Sequence, residues 1–219
     1  MPKNYPDRSF EDSLFNQGYK WIIGIDEVGR GCLAGNVGIG VATMKEETPA
    51  WPTDLRDSKL VAEKKRVALR DEVASWIPHY SVTFSTADEI LKYGINPAQA
   101  KAGERAIKDV VASIEAEDKV KLTISDAIII LDGSYNWLKD SNLAFKVIMK
   151  TKADRDCVVV AAASILAKVE RDTYMASLDE TYPGYNFGGH KGYGSAEHYD
   201  KIRELGLIPG IHRDSWIKL

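Results

Sequence analysis

Apolar residues along this chain follow two periods. "KWIIGID" (20–26) is an unbroken apolar run of strand length, and "NVGIGVAT" (36–43) is a second. Small residues in the intervening "GCLA" suit a tight connection. From Asp57 to Ile77 the period lengthens: Val61, Lys65, Ala68, Leu69, Val73 and Trp76 lie near one side of a helix, and Ser58 is placed to cap its start. "HYSVTFST" (79–86) alternates as a third strand. A short helix over 88–93 is broken by "GIN", and Pro97 suits the first turn of a longer helix reaching about Glu117. "DAIIILDG" (126–133) and "AFKVIMK" (144–150) are two further strands. "CVVVAAASILAKVERDTYMASLDETY" begins like a strand, but its long small-residue stretch predicts a helix packed close to the sheet. After the glycine- and aromatic-rich loop "PGYNFGGHKGYGS", "AEHYDKIRELG" is a last helix. Residues 1–19 are polar and form an arm.

Hairpin-like links join the first three strands and crossovers join the rest, which predicts an α/β fold with a mixed sheet flanked by helices. Repeats, low-complexity segments and linkers are not evident. A boundary, if the chain has one, falls near 182–189. It would divide a main domain (1–181) from a C-terminal helical extension (182–219) packed across it.

Composition narrows the function classes. The 219 residues are 44% hydrophobic and 28% charged, as in soluble globular proteins. A formal charge of −3 gives no global attraction to nucleic acid, so any such binding needs a local basic patch. Two cysteines, Cys32 and Cys157, do not make a disulfide framework. The N-terminus lacks the apolar core of a secretion signal, and no stretch is long and apolar enough to span a bilayer. The expectation is a cytoplasmic monomer.

The first strand ends in two adjacent acids, Asp26 and Glu27. Charge at the tip of a buried strand is costly unless a cation meets it, and ligands of open α/β sheets sit at the carboxyl ends of strands. "DAIIILD" offers Asp132 at that edge; Asp126 begins the same strand roughly 20 Å away and cannot share the site. "KTKADRDCVVV" offers Asp154 and Asp156 just before the small-residue helix. Converging carboxylates with no neighbouring histidine or cysteine suit Mg²⁺ or Mn²⁺ and not zinc. Two such ions can activate water and stabilise the leaving oxygen in phosphodiester cleavage. Spacing alone points to a metal-dependent enzyme of unspecified substrate.

The motifs resemble those of the ribonuclease HII family. "GIDEVGRGCLAGNV" is similar to its G-[IV]-D-E-[AV]-G-R-G-P-L-x-G segment, and the likeness continues through "DSKLVAEKKR", "ILDG", "KADRDCVVVAAASILAKVERD", "YPGYNFGGHKGYGSAEH" and "HRDSW". The resemblance implies a ribonuclease H-like fold. It assigns the four catalytic, metal-holding acids to Asp26, Glu27, Asp132 and Asp154. Asp154 is preferred to Asp156 because the family's acid stands ten residues before the serine matched by Ser164. It implies a two-metal site for Mg²⁺ or Mn²⁺. The substrates it implies are RNA–DNA hybrids and single ribonucleotides embedded in duplex DNA, cut on the 5′ side of the ribonucleotide to leave 3′-hydroxyl and 5′-phosphate ends. Gly29, Arg30 and Gly31 would meet the 2′-hydroxyl at the junction. Tyr193 would stack on the neighbouring sugar. Ser164 would also fall among the substrate-binding positions, with Lys59 and Lys168 near backbone phosphates.

Some positions depart from the pattern. Cys32 stands in place of a proline, Arg155 and Asp156 put charge beside the fourth acid, and Asp214 replaces an arginine. Lys139, Lys146, Lys150, Lys152 and Arg155, with Lys168, Lys191, Lys201, Arg203 and Arg213, are candidates for a basic patch. His190, His198 and His212 lack metal-ligand spacing and read as loop or phosphate-contacting residues. Two other readings compete. A hybrid-binding module without activity would gain nothing from four buried acids facing phosphate. A ribonuclease HIII type would carry an extra N-terminal domain, for which 20 residues before the first strand leave no room, and it lacks the tyrosine matched by Tyr193.

Overall fold

Residues 5–139 and 141–219 are described by a computed structural model. Helix α1 (Ser9–Phe15) precedes strands β1 (Trp21–Val28) and β2 (Val37–Met44). A 3₁₀ turn (Ser58–Leu60) leads into α2 (Glu63–Trp76), followed by β3 (Tyr80–Ser85), α3 (Ala87–Tyr93) and α4 (Ile95–Glu117). Then come β4 (Ala127–Asp132), β5 (Lys146–Lys150), α5 (Ala153–Asp156), α6 (Val158–Thr181), α7 (Phe187–His190) and α8 (Ala196–Leu205). The five strands lie in the order β3-β2-β1-β4-β5; β1 runs antiparallel to β2 and parallel to β4. This is the expected mixed sheet flanked by helices.

Three differences have local causes. The arm contains a helix, α1, because Leu14 and Phe15 can be buried against the sheet. Ser58 does not cap α2; it opens the 3₁₀ turn, where Asp57 accepts the Lys59 N–H, and α2 begins after Ala62 with no side-chain cap. All three valines of "CVVV" are helical in α6, since burial on the sheet overrides their strand preference.

The sheet buries both faces. Ile22, Ile128 and Ile130 face the α6 side, whereas Ile23, Ile25, Ile129 and Leu131 face α4. Helix α6 lies close because its first half is small and because β2 carries Gly40, where any Cβ would collide with the Ala163 carbonyl. This alternation determines where the strand-end acids go.

Candidate active site

Successive side chains of a strand point to opposite faces. Asp26 therefore follows Ile22 and Gly24 to the α6 face, and Glu27 turns to the α4 face at the strand's end. Asp132 follows Ile128 and Ile130 to the α6 face, and the parallel register Ile25↔Leu131 sets it beside Asp26. Asp132 Oδ1 accepts the Ala153 N–H at 2.7 Å, tying the end of β4 to the start of α5. The next residue, Asp154, is 5% exposed. Asp156 points elsewhere and pairs with Lys150 at 2.8 Å. Asp126 lies at the opposite end of β4, paired with Lys20 at 2.8 Å.

The acids feel one another. Burial raises the Asp26 pKa well above the carboxylate range, and Glu27, Asp132 and Asp154 add to the rise; a hydrogen bond from Ser164 opposes it. Burial, Asp132 and Asp57 push Asp154 up to about 6 against the pull of Lys59 and Arg155. Glu27 is raised by burial and Asp132, with Arg30 and Lys59 opposing. Asp26 thus feels the other three acids, while Glu27 and Asp154 each feel Asp132.

Cations and hydroxyls frame them. Lys59 Nζ stands 3.7 Å from Asp154 Oδ2 with its side chain 70% exposed. Burial disfavours its charge, but Asp26, Asp57, Asp154 and Asp132 together hold its pKa above the usual lysine value. Ser164 Oγ lies 2.9 Å from Ser58 Oγ, joining α6 to the Lys59 turn. Asp57, fully buried, accepts from Arg155 Nε at 3.2 Å. The charge that Arg155 adds beside the fourth acid is therefore met by Asp57.

The 29–31 loop runs past the end of β1. Gly29 has φ +80, and a Cβ there would collide with the Arg171 guanidinium; Gly31 faces open space. Arg30 donates to Gln99 Oε1 and, at 2.8 Å, to Asn96 Oδ1, both on α4. Tyr193 is 44% exposed and reaches this loop region through backbone bonds of its neighbours, such as Leu33 N–H to Gly192 O at 2.8 Å. Cys32 is fully buried with Sγ 3.6 Å from the Lys191 carbonyl, so it packs the loop down. Asp214 is exposed and accepts the Ser215 N–H at 2.6 Å.

Several sequence expectations need correction. Arg213 is no part of a surface patch: it is fully buried, because carbonyl oxygens of the 29–35 loop satisfy it. Lys168 is held by Asp172 at 2.5 Å, and Asp172 also pairs with Arg66 at 3.2 Å. Lys191, Lys150, Lys201 and Arg203 likewise have acid partners. Among the described residues, Lys146 and Lys152 have no such partner. The histidines, expected as loop or phosphate-contacting residues, use their ring nitrogens inside the protein: His190 Nε2 donates to the Tyr185 carbonyl at 2.9 Å and its Nδ1 accepts the Gly192 N–H at 3.0 Å. His198 and His212 are buried, and their Nε2 atoms lie 3.3 Å apart. His212 Nδ1 accepts the Ile208 N–H, so its Nε2–H donates to His198 Nε2, and His198 Nδ1–H donates to the Tyr193 carbonyl at 2.9 Å. Burial lowers both pKa values to about 4.

The donor set suits a hard divalent cation: the groups at the sheet edge are carboxylates from three chain segments, with no imidazole or thiolate among them. The fit is one of donor chemistry and backbone placement. Among the described residues, no group of three or more His, Cys, Asp or Glu side chains is arranged to hold an ion as it stands. Asp26 and Glu27, on opposite faces, account for part of that spread.

Comparison with known proteins agrees with this architecture. The family model described as ribonuclease HII matches residues 23–219. The ribonuclease HII of Fusobacterium nucleatum subsp. nucleatum is 37% identical over 205 residues, 94% of this chain and 89% of that protein. The crystal structure of ribonuclease H2 from Pyrococcus horikoshii OT3 superposes with a TM-score of 0.65 at 25% identity, covering 90% of this chain and 93% of the other. A Bst-RNase HIII in complex with Mn²⁺ shares the fold with a TM-score of 0.70 at 20% identity, covering 90% of this chain and 68% of that one. With strand-end acids, a G-R-G loop and a family match that runs from β1 to the last residue, the chain belongs to the ribonuclease HII family and is a ribonuclease HII-type endonuclease.

Proposed function

We propose that this endonuclease cleaves the RNA strand of RNA–DNA hybrids and also single ribonucleotides embedded in duplex DNA. The cut falls 5′ of the ribonucleotide and leaves 3′-hydroxyl and 5′-phosphate ends. One observation supports the reading: Asp26 at the end of β1 and Asp132 at the end of β4 are set side by side by the strand register, and Asp132 accepts the Ala153 N–H next to Asp154.

Asp26, Glu27, Asp132 and Asp154 would hold the ions. Mg²⁺ or Mn²⁺, when bound, makes water a nucleophile near neutral pH and stabilises the charge of the departing oxygen. The remaining work belongs to the chain. Asp132 keeps Asp154 at the edge through the Ala153 N–H. Ser164 holds Asp26 and leaves the Ser58 turn fixed, which presents Lys59 to a phosphate oxygen. Lys168 acts through Asp172, anchoring Arg66 and the 3₁₀ turn. Gly29, Arg30 and Gly31 meet the ribose 2′-hydroxyl, and Tyr193 stacks on the adjacent sugar.

The related fold of a Bst-RNase HIII holding Mn²⁺ supports the choice of ion. No helix among the described residues is long and apolar enough to cross a membrane. We further propose a cytoplasmic monomer whose C-terminal segment, 182–219, works with the 1–181 domain by supplying Tyr193, and a role in removing ribonucleotides from DNA. Incubating a duplex that contains one ribonucleotide with and without divalent ion, followed by analysis of the product ends, tests this reading.

A further inference from the structure

Two arginines, Arg171 and Arg213, are fully buried, and among the described residues neither has a carboxylate partner. Buried cations are ordinarily paired with acids, because desolvation is costly. These two are paired with backbone carbonyls from two loops instead. Arg213 Nη1 donates to Arg30 O at 2.8 Å, Nη2 to Gly29 O at 2.9 Å and to Gly35 O at 2.8 Å, and Nε to Gly35 O at 3.2 Å. Arg171 Nε donates to Asn36 O at 2.9 Å, Nη1 to Lys191 O at 3.0 Å, and Nη2 to Ala34 O at 3.4 Å. Its guanidinium carbon also lies 6.0 Å from the centre of the Tyr193 ring.

The bonds from Arg213 set the direction of two peptide units. In a trans peptide the N–H points opposite to the C=O. With Gly29 O and Arg30 O both turned inward to Arg213, the N–H groups of Arg30 and Gly31 are turned away from it. Among the described residues, neither N–H has a protein acceptor. Gly31 is exposed and a Cβ there would meet nothing within 4 Å, so the loop is open on that side. The result is two adjacent, uncommitted main-chain donors beside the strand-end acids.

We propose that Arg213 is a specificity-positioning residue: its planar fork fixes the Arg30 and Gly31 N–H groups as a donor pair for the ribose 2′-hydroxyl, and Arg171 fixes the Tyr193 loop to the same frame. This rests on the reading that the enzyme selects ribonucleotides. Lysine at position 213 would keep the charge but not the fork, because one ammonium cannot meet carbonyls 29, 30 and 35 in a common plane.

The test compares wild type with R213K on two duplexes that differ only in one 2′-hydroxyl. Binding of both is measured with Ca²⁺, cleavage of the ribonucleotide duplex with Mg²⁺ or Mn²⁺, and thermal melting reports the fold. R213K is expected to lose about tenfold of the preference for the ribonucleotide duplex, the scale of one net hydrogen bond. KM should rise by that factor, with kcat held within about twofold and affinity for the all-DNA duplex unchanged. A folded R213K with the wild-type preference, or one weakened equally on both duplexes, overturns the proposal. Should R213K fail to fold, amide exchange in the wild type decides: Arg30 and Gly31 N–H must be protected by the ribonucleotide duplex more than by the all-DNA duplex, and equal protection overturns it. If wild type itself fails to cut the ribonucleotide duplex, it is the functional reading that fails. Cleavage by wild type with an unaltered R213K removes the Arg213 assignment alone.

Discussion

Asp132 at the end of β4 accepts the first N–H of α5 from Ala153 at 2.7 Å, so one acid of the site holds the helix that carries another, Asp154. The two tasks of Asp132 separate by substitution. D132N keeps an oxygen acceptor for Ala153 but loses the charge. It should melt no lower than wild type and lose activity by at least about a thousandfold, as when a transition-state electrostatic group is removed. D132A loses the acceptor as well and should cost about 1 kcal/mol of stability, the scale of one net hydrogen bond. Melting curves and single-turnover rates on both variants check this.

Clustered acids destabilise the metal-free protein at high pH. The folded-state pKa of Asp154, about 6, lies above its ordinary value of 3.8. Its protonated form is therefore favoured by folding, and the associated stability is present below about pH 4 and lost as pH rises through about 6. D154N should raise the melting temperature in chelator at pH 8 by a few degrees, on the order of the shift from about 1 kcal/mol in a protein of this size. At pH 4 it should change little. A D154N that melts lower than wild type at pH 8 would show that Asp154 is not under repulsion.

The buried histidines act in the opposite sense. The pKa values of His198 and His212 fall from 6.5 to about 4 in the folded protein. Their contribution is full above pH 6.5 and is lost as pH falls towards 4. Because His198 Nδ1 donates to the Tyr193 carbonyl, amide exchange in 190–195 should accelerate over that window, earlier than exchange in β1.

Lys59, like Arg155, is an exposed cation that pulls the Asp154 pKa down. In K59A, Asp154 should titrate at higher pH, so the acid limb of the rate profile moves to higher pH and KM for duplex rises. A profile identical to wild type would leave Lys59 as an ordinary surface lysine.

Internal pairing of Lys150, Lys168, Lys191, Lys201 and Arg203 limits how many cations meet phosphate. Duplex affinity should fall with salt, with a log–log slope of about −3 to −5 measured by anisotropy. A flat response would remove the basic contact altogether.

The strand ends were legible in the sequence because burial and charge conflict there: "WIIGID" cannot end in Asp26 and Glu27 without a reason. Asp154 and Asp156 could not be separated by spacing; in the structure, a bond from the Ala153 N–H to Asp132 and an ion pair of Asp156 with Lys150 send them to different places. Arg213 and Arg171 were hidden for a different reason. An arginine looks like surface charge in a sequence, and only the curl of the 29–36 loop creates the inward carbonyls that make burial possible. The histidines were obscured likewise, since their backbone partners, Tyr185, Tyr193 and Ile208, lie in the segments that flank α7 and α8.

The most direct measurement of the central claim is cleavage of duplex DNA carrying one ribonucleotide, by wild type and D132N, with Mg²⁺, with Mn²⁺ and with chelator. A single cut 5′ of the ribonucleotide with 3′-hydroxyl and 5′-phosphate ends is expected, by wild type only and with either ion only. Cleavage in chelator, or by D132N at the wild-type rate, would contradict it.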